Sequence, residues 1–240
     1  MKKVMIAFSA LLSVAGSGCV TDGNQDFARI LGGVSEAVGP VTTAEVSAGL
    51  KEALTVGTQR VVDNVSSPDG YFMDDSIKIK LPDQLAKIQT SLGRVGMDGA
   101  LNDLELKMNR AAEEAAPKAK KLFVSAVTSM TIDDAMSIFN GGDTAATEFL
   151  KSKTQAQLRT EFKPYVVAAM GQVGALEQAE TVVGRYLPSE MVSSVRNELV
   201  THAVDGALDG LFYYLAQEEK EIRNDPVKQT TKLLKRVFGG

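Results

Sequence analysis

Thr42-Thr43-Ala44-Glu45-Val46-Ser47-Ala48-Gly49-Leu50-Lys51-Glu52-Ala53-Leu54 is the stretch whose reading decides the fold class. Thr42 and Glu45 stand three apart, the spacing at which each side chain satisfies the other residue's free backbone N–H at a helix start. Val46, Leu50, Ala53, Leu54, Val61 and Val65 then recur on one face of a 3.6-residue period. The same period returns along most of the chain. Leu85, Ile88 and Leu92 follow Pro82, which suits a first helical position. Leu101, Leu104, Met108, Ala111, Ala112 and Ala115 predict a helix up to Pro117, and Leu122 to Met130 a further one. Thr131 opens a short helix ending at Phe139, and Asn140-Gly141-Gly142 is a stop. Asp143 opens another short helix through Leu150, and Thr154 caps a longer one to Val173. Leu176–Leu187 also reads as helical, and Val192 to Leu215 lie on the stripe of a long helix over about 190–223. Asn224-Asp225-Pro226 opens the last helix, with Leu233, Leu234, Val237 and Phe238.

One stretch breaks the pattern. After Ser66-Ser67-Pro68-Asp69-Gly70, Ile77-Lys78-Ile79-Lys80-Leu81 alternates with period two, which predicts a small two-stranded ribbon with Tyr71-Phe72-Met73. The expectation is an all-α, single-domain bundle of about eight to ten helices with that ribbon near residues 71–81. Residues 42–240 form the domain, 19–41 a flexible tether, and 1–18 a signal peptide.

The signal reading rests on Lys2-Lys3, the apolar run Val4–Ala15 and the small residues Gly16-Ser17-Gly18. That run is shorter than the roughly 20 residues that span a bilayer. Cys19 is the single cysteine and follows the cleavage site directly, so it is read as the lipidated first residue of the mature protein. Gly16 departs from the lipobox, which places an aliphatic residue three before the cysteine. The address implied is the periplasmic side of the outer membrane, or the soluble periplasm without lipid. The chain has 26 basic and 30 acidic residues; losing Lys2 and Lys3 leaves 24 against 30, a mature charge of −6. That balance argues against nucleic acid as a partner.

Gly49-Leu50-Lys51-Glu52-Ala53-Leu54, Pro68-Asp69-Gly70-Tyr71-Phe72, Asn109-Arg110-Ala111-Ala112-Glu113-Glu114, Asn140-Gly141-Gly142-Asp143, Phe162-Lys163-Pro164 and Ala207-Leu208-Asp209-Gly210-Leu211-Phe212 resemble segments of the bacterial domain-of-unknown-function family 4197. The resemblance covers roughly residues 45–239. It implies an exported, mostly helical protein and brings no catalytic residues.

Three groups of residues are candidates for chemistry. Asn109, Arg110, Glu113 and Glu114 place a guanidinium one turn before two acids. As a surface ion pair this is worth about 0.3–0.5 kcal/mol; as a polar cluster inside the bundle it binds a ligand or clamps the ribbon. Glu198, His202 and Asp205 share one helical face and are weak candidates for a metal, since the chain has a single histidine. Tyr71, Phe72 and Tyr213 plug the bundle or gate an apolar cavity. There is no Gly-x-Ser-x-Gly elbow and no phosphate-loop lysine, and no cofactor is expected. The leading reading is a non-enzymatic envelope lipoprotein, held to the membrane by its lipid, that binds a protein partner or an apolar ligand such as lipid. The alternatives are an enzyme or metal-binding protein using Arg110, Glu113 and Glu114 or the Glu198–His202–Asp205 face, and a purely structural envelope component.

Overall fold

Helix α1 (Thr43–Val65) starts at the expected capping box. Thr42 Oγ1 accepts from the Glu45 N–H at 3.2 Å and a Glu45 carboxylate oxygen accepts from the Thr42 N–H at 2.9 Å. The computed structural model describes residues 40–171, 177, 180–181, 184–185, 189–225, 227–229 and 231–238. The signal peptide, Cys19, the tether and most of the helix expected over Leu176–Leu187 lie outside the described residues. The remaining helices are α2 (Asp83–Gly93), α3 (Gly99–Ser129), α4 (Ile132–Phe139), α5 (Ala145–Gly171), α6 (Ser189–Asn224) and α7 (Lys232–Phe238). Residues 41–240 form one compact unit.

The protein is all-α, but the finer expectations need correction. Among the described residues there are seven helices and no strand. Two expected breaks are bridged. Pro117 sits in the first turn of a 3₁₀ segment (Ala116–Lys118), where its missing N–H costs nothing, so α3 runs on as one element. Thr154, expected as a cap, is interior to α5: its hydroxyl donates to the Leu150 carbonyl at 2.7 Å, and the two helices expected there are one. The last helix begins at Lys232, not at Pro226, because Thr231 is the capping residue, its hydroxyl accepting from the Leu234 N–H at 3.1 Å.

Helix α1 lies against α6, α4, α7 and the second half of α3, while α5 packs on α6 and along α3. One apolar cluster runs through these contacts, with Leu101, Leu104, Met108, Phe123, Leu150, Leu158, Phe162 and Leu211 fully buried. A smaller cluster of Ala53, Ile222 and Leu234 joins α1, α6 and α7, and Phe238 packs against both clusters. Among the described residues no single helix is long and apolar enough to cross a membrane.

The ribbon is not formed. Residues 71–77 run largely as turns, with the Met73 N–H donating to the Asp69 carbonyl at 3.1 Å and the Lys78 N–H to the Asp74 carbonyl at 2.7 Å, and residues 78–81 have no regular structure. The alternation was nonetheless a true signal of burial: Ile77, Ile79 and Leu81 are buried, whereas Lys78 is half-buried and Lys80 exposed. What replaces the second strand is one side chain. Asn109 of α3 accepts from the Ile79 N–H and donates to the Ile79 carbonyl, both at 2.9 Å, as a neighbouring strand would.

Candidate functional site

The segment 66–82 crosses α3 and α6 as a strap. It leaves α1 through Asp69 in the left-handed conformation (φ 67°). Gly70 then passes so close to the helix end that a Cβ there would lie 2.6 Å from the Val65 carbonyl oxygen. This turn delivers Tyr71 into the core, fully buried. Its hydroxyl donates to the Ala207 carbonyl at 2.6 Å, and burial raises its pKa. Gly206 and Gly210 of α6 make the room: Cβ atoms there would meet Ile79 at 3.0 Å and the Tyr71 ring at 2.7 Å.

Glu113 fastens the strap from the other side. One of its carboxylate oxygens accepts from the Tyr71 N–H at 3.1 Å and the Phe72 N–H at 3.3 Å. Arg110 donates to the other oxygen at 2.7 Å and to Asp69 at 2.5 Å, and the bond to Glu113 is the largest cause of its raised pKa. The rest of the strap is secured piecewise. Lys78 pairs with Glu105 at 3.1 Å and lies over the Phe72 ring at 4.2 Å. Asp74 accepts from the Tyr214 hydroxyl, a bond that pushes the Tyr214 pKa up to about 12. The His202 Nε2–H donates to the Lys80 carbonyl at 2.7 Å.

The three candidate groups thus have different fates. Asn109, Arg110 and Glu113 act together on the strap, while Glu114 is exposed and outside it. Tyr71 is buried, Phe72 half-buried under Lys78, and Tyr213 is 43% exposed in an open cleft with Arg60 and Asn64, so they do not form one gate. On the Glu198–His202–Asp205 face, Glu198 is exposed and Asp205 accepts from Arg159 at 2.8 Å. Among the described residues no group of three or more His, Cys, Asp or Glu is placed to hold a metal ion.

A second anchor has no counterpart among the candidate residues of the sequence: it lies in the charge run Glu218-Glu219-Lys220-Glu221-Ile222-Arg223 near the end of α6. Glu219 is buried and accepts from the Ala146 N–H at 2.9 Å and from the Thr147 N–H and hydroxyl at 2.8 and 2.9 Å. It thereby caps the N-terminus of α5 from a different helix. Arg223, 13% exposed, donates to Glu219 at 2.9 Å and to the Ile138 carbonyl at the end of α4 at 2.9 Å. The pair holds both ends of the Asn140-Gly141-Gly142-Asp143 turn. Its signal was present: Leu211, Leu215 and Glu219 continue the four-residue spacing of the buried stripe.

Beside this pair lies an apolar recess. Leu50, Ala53, Leu54 and Gly57 of α1, Leu150 of α5, Leu215 and Ile222 of α6 and Phe238 of α7 line it. The space remaining is about 20 Å³, room for roughly one water.

Fold and anchors define an all-α bundle in which a long strap and a short turn are each fastened by a buried carboxylate with an arginine one turn away. A family model described as "Protein of unknown function (DUF4197)" matches residues 40–239, and the chain belongs to that family. Neither the curated proteins nor the solved structures contain a match to the chain.

Proposed function

We propose that this chain is a non-enzymatic cell-envelope protein, exported by residues 1–18, held at the membrane by lipid on Cys19, and acting by binding a protein partner or an apolar ligand. The observation that best supports a binding role over catalysis is where the polar candidates spend their hydrogen bonds. Asn109, Arg110, Glu113 and His202 are engaged with the strap, and Glu219 and Arg223 with the turn between α4 and α5. Groups committed to structure in this way are poorly placed to move protons or attack a substrate. The sequence supplies the address: a short apolar leader followed at once by the single cysteine.

The test is native purification from membranes, with mass spectrometry of the intact chain and of whatever accompanies it. The expected result is a chain beginning at Cys19, heavier by its acyl groups, with a stoichiometric protein or lipid companion. A chain that starts elsewhere with a free thiol overturns the anchor, and a chain that emerges alone overturns the binding role.

A further inference from the structure

We infer that the cleft between α1 and α6 around Tyr213 is a binding site for a neutral saccharide. The inference goes beyond the partner and the apolar ligand proposed above and rests on neither. The cleft is open and has a volume of about 500 Å³, within the roughly 300–1,000 Å³ of small-molecule sites. Arg60 and Asn64 line it from α1, and Tyr213 and Gln217 from α6. Tyr213 is the only exposed aromatic residue among the described ones. Its place is nonetheless fixed. The ring meets that of Tyr214 edge to face with centroids 5.3 Å apart, and Tyr214 is itself tied to the strap through Asp74. A ring held still before the ligand arrives loses little freedom on binding.

The polar lining decides the class of ligand. Its charges cancel and engage one another: Arg60 pairs with Glu218 at 2.9 Å, and Lys228 with Glu221 at 2.7 Å. Such a lining offers no net charge to a phosphate, a carboxylate or a polyamine. What it leaves free is neutral. The side-chain amides of Asn64 and Gln217 and the Tyr213 hydroxyl make no hydrogen bond to any described residue. Each amide both donates and accepts, as a sugar hydroxyl does, so the two can pair in either sense. A hydrocarbon entering the cleft strips water from these amides and returns no hydrogen bond. A pyranose answers both features, with C–H groups on its face to stack on Tyr213 and hydroxyls at its rim to reach the amides.

The test is isothermal titration calorimetry of the native chain, held in a detergent without a sugar headgroup. The probes are two neutral trisaccharides, cellotriose and N-acetylated chitotriose, with inositol hexakisphosphate as the charged control. Saturable one-to-one binding of at least one trisaccharide is expected. Binding of neither overturns the site, and tighter binding of the hexakisphosphate overturns the neutral class. Tyr213→Ala is expected to weaken the trisaccharide at least about tenfold, whereas Tyr213→Phe, which keeps the ring, stays within about threefold. Gln217→Ala is expected to weaken it by about threefold or more. Both side chains are exposed, so circular dichroism should show the fold unchanged in each variant. Unchanged affinity in Tyr213→Ala and Gln217→Ala places the sugar elsewhere and overturns the assignment. Equal loss in the Phe and Ala variants overturns ring stacking as the basis of recognition. Failure of the sugar to bind leaves the lipid anchor and partner capture standing, since the membrane purification tests those separately.

Discussion

The strap anchor at Glu113 and the turn anchor at Glu219 use one device in two settings. Each buried carboxylate accepts two consecutive backbone N–H groups and is neutralised by an arginine one turn away on its own helix. At Glu219 the arginine side chain is 13% exposed and sits between two helix ends; at Glu113 it is 38% exposed and shares its charge with Asp69. The turn between α4 and α5 is otherwise held by local bonds, such as that from the Asn140 side-chain amide to the Met136 carbonyl at 2.9 Å, whereas at the strap Asn109, Tyr71, Lys78 and His202 add bonds between distant elements. The difference teaches that the role of a buried ion pair is set by how many independent fastenings surround it and by how much water can relieve its loss.

The sharpest way to break the comparison is to remove each acid in turn. Glu219→Ala leaves Arg223 buried without its counter-charge and two α5 N–H groups unpaired, and is expected to cost about 3–5 kcal/mol in urea unfolding. Glu113→Ala leaves Arg110 with Asp69 and with water, so about 1–3 kcal/mol is expected. Equal losses for the two variants would show that the surrounding fastenings do not share the load.

A pH titration sharpens the strap side. Tyr214 titrates near 10 unfolded and is pushed up to about 12 by Asp74 in the fold. Between those values the unfolded chain binds fewer protons than the native one, so this contribution to stability is whole below pH 10 and is lost as pH rises toward 12. Tyr214→Phe is expected to flatten that part of the stability–pH curve, and an unchanged slope would mean the Asp74 bond contributes nothing. The smallest effect is expected for Asp69→Gly. It relieves the left-handed backbone while giving up an exposed ion pair, two opposing terms that leave stability within about 0.5 kcal/mol by thermal unfolding. A large loss would move Asp69 from the rim of the anchor to its centre.

Much of this architecture was legible in advance, and particular residues show why. Thr42 with Glu45 and Thr131 with Asp134 announce helix starts through bonds that span three residues, so neighbours in sequence suffice to reveal them. Arg110 with Glu113 was visible for the same reason. Glu219 with Arg223 was equally local, but its meaning depended on α4 and α5 arriving from some 70–85 residues away. Within the charge run its place on the buried stripe was easily overlooked. The alternation of Ile77, Ile79 and Leu81 told correctly which side chains turn inward, yet could not tell that an asparagine amide would stand in for a strand.

By itself the sequence determined the helical class, most helix starts, the buried faces and the membership of residues 40–239 in their family, because these rest on periodicity and short-range capping. The tertiary structure alone decided that Pro117 and Thr154 do not interrupt their helices, and that Tyr71 fills the space left by Gly210. It alone placed the two buried carboxylates on distant backbone and brought Phe238 of α7 into the lining of an apolar recess. Those outcomes depend on which surfaces meet, and the energy of meeting appears only when helices remote in the chain are brought together.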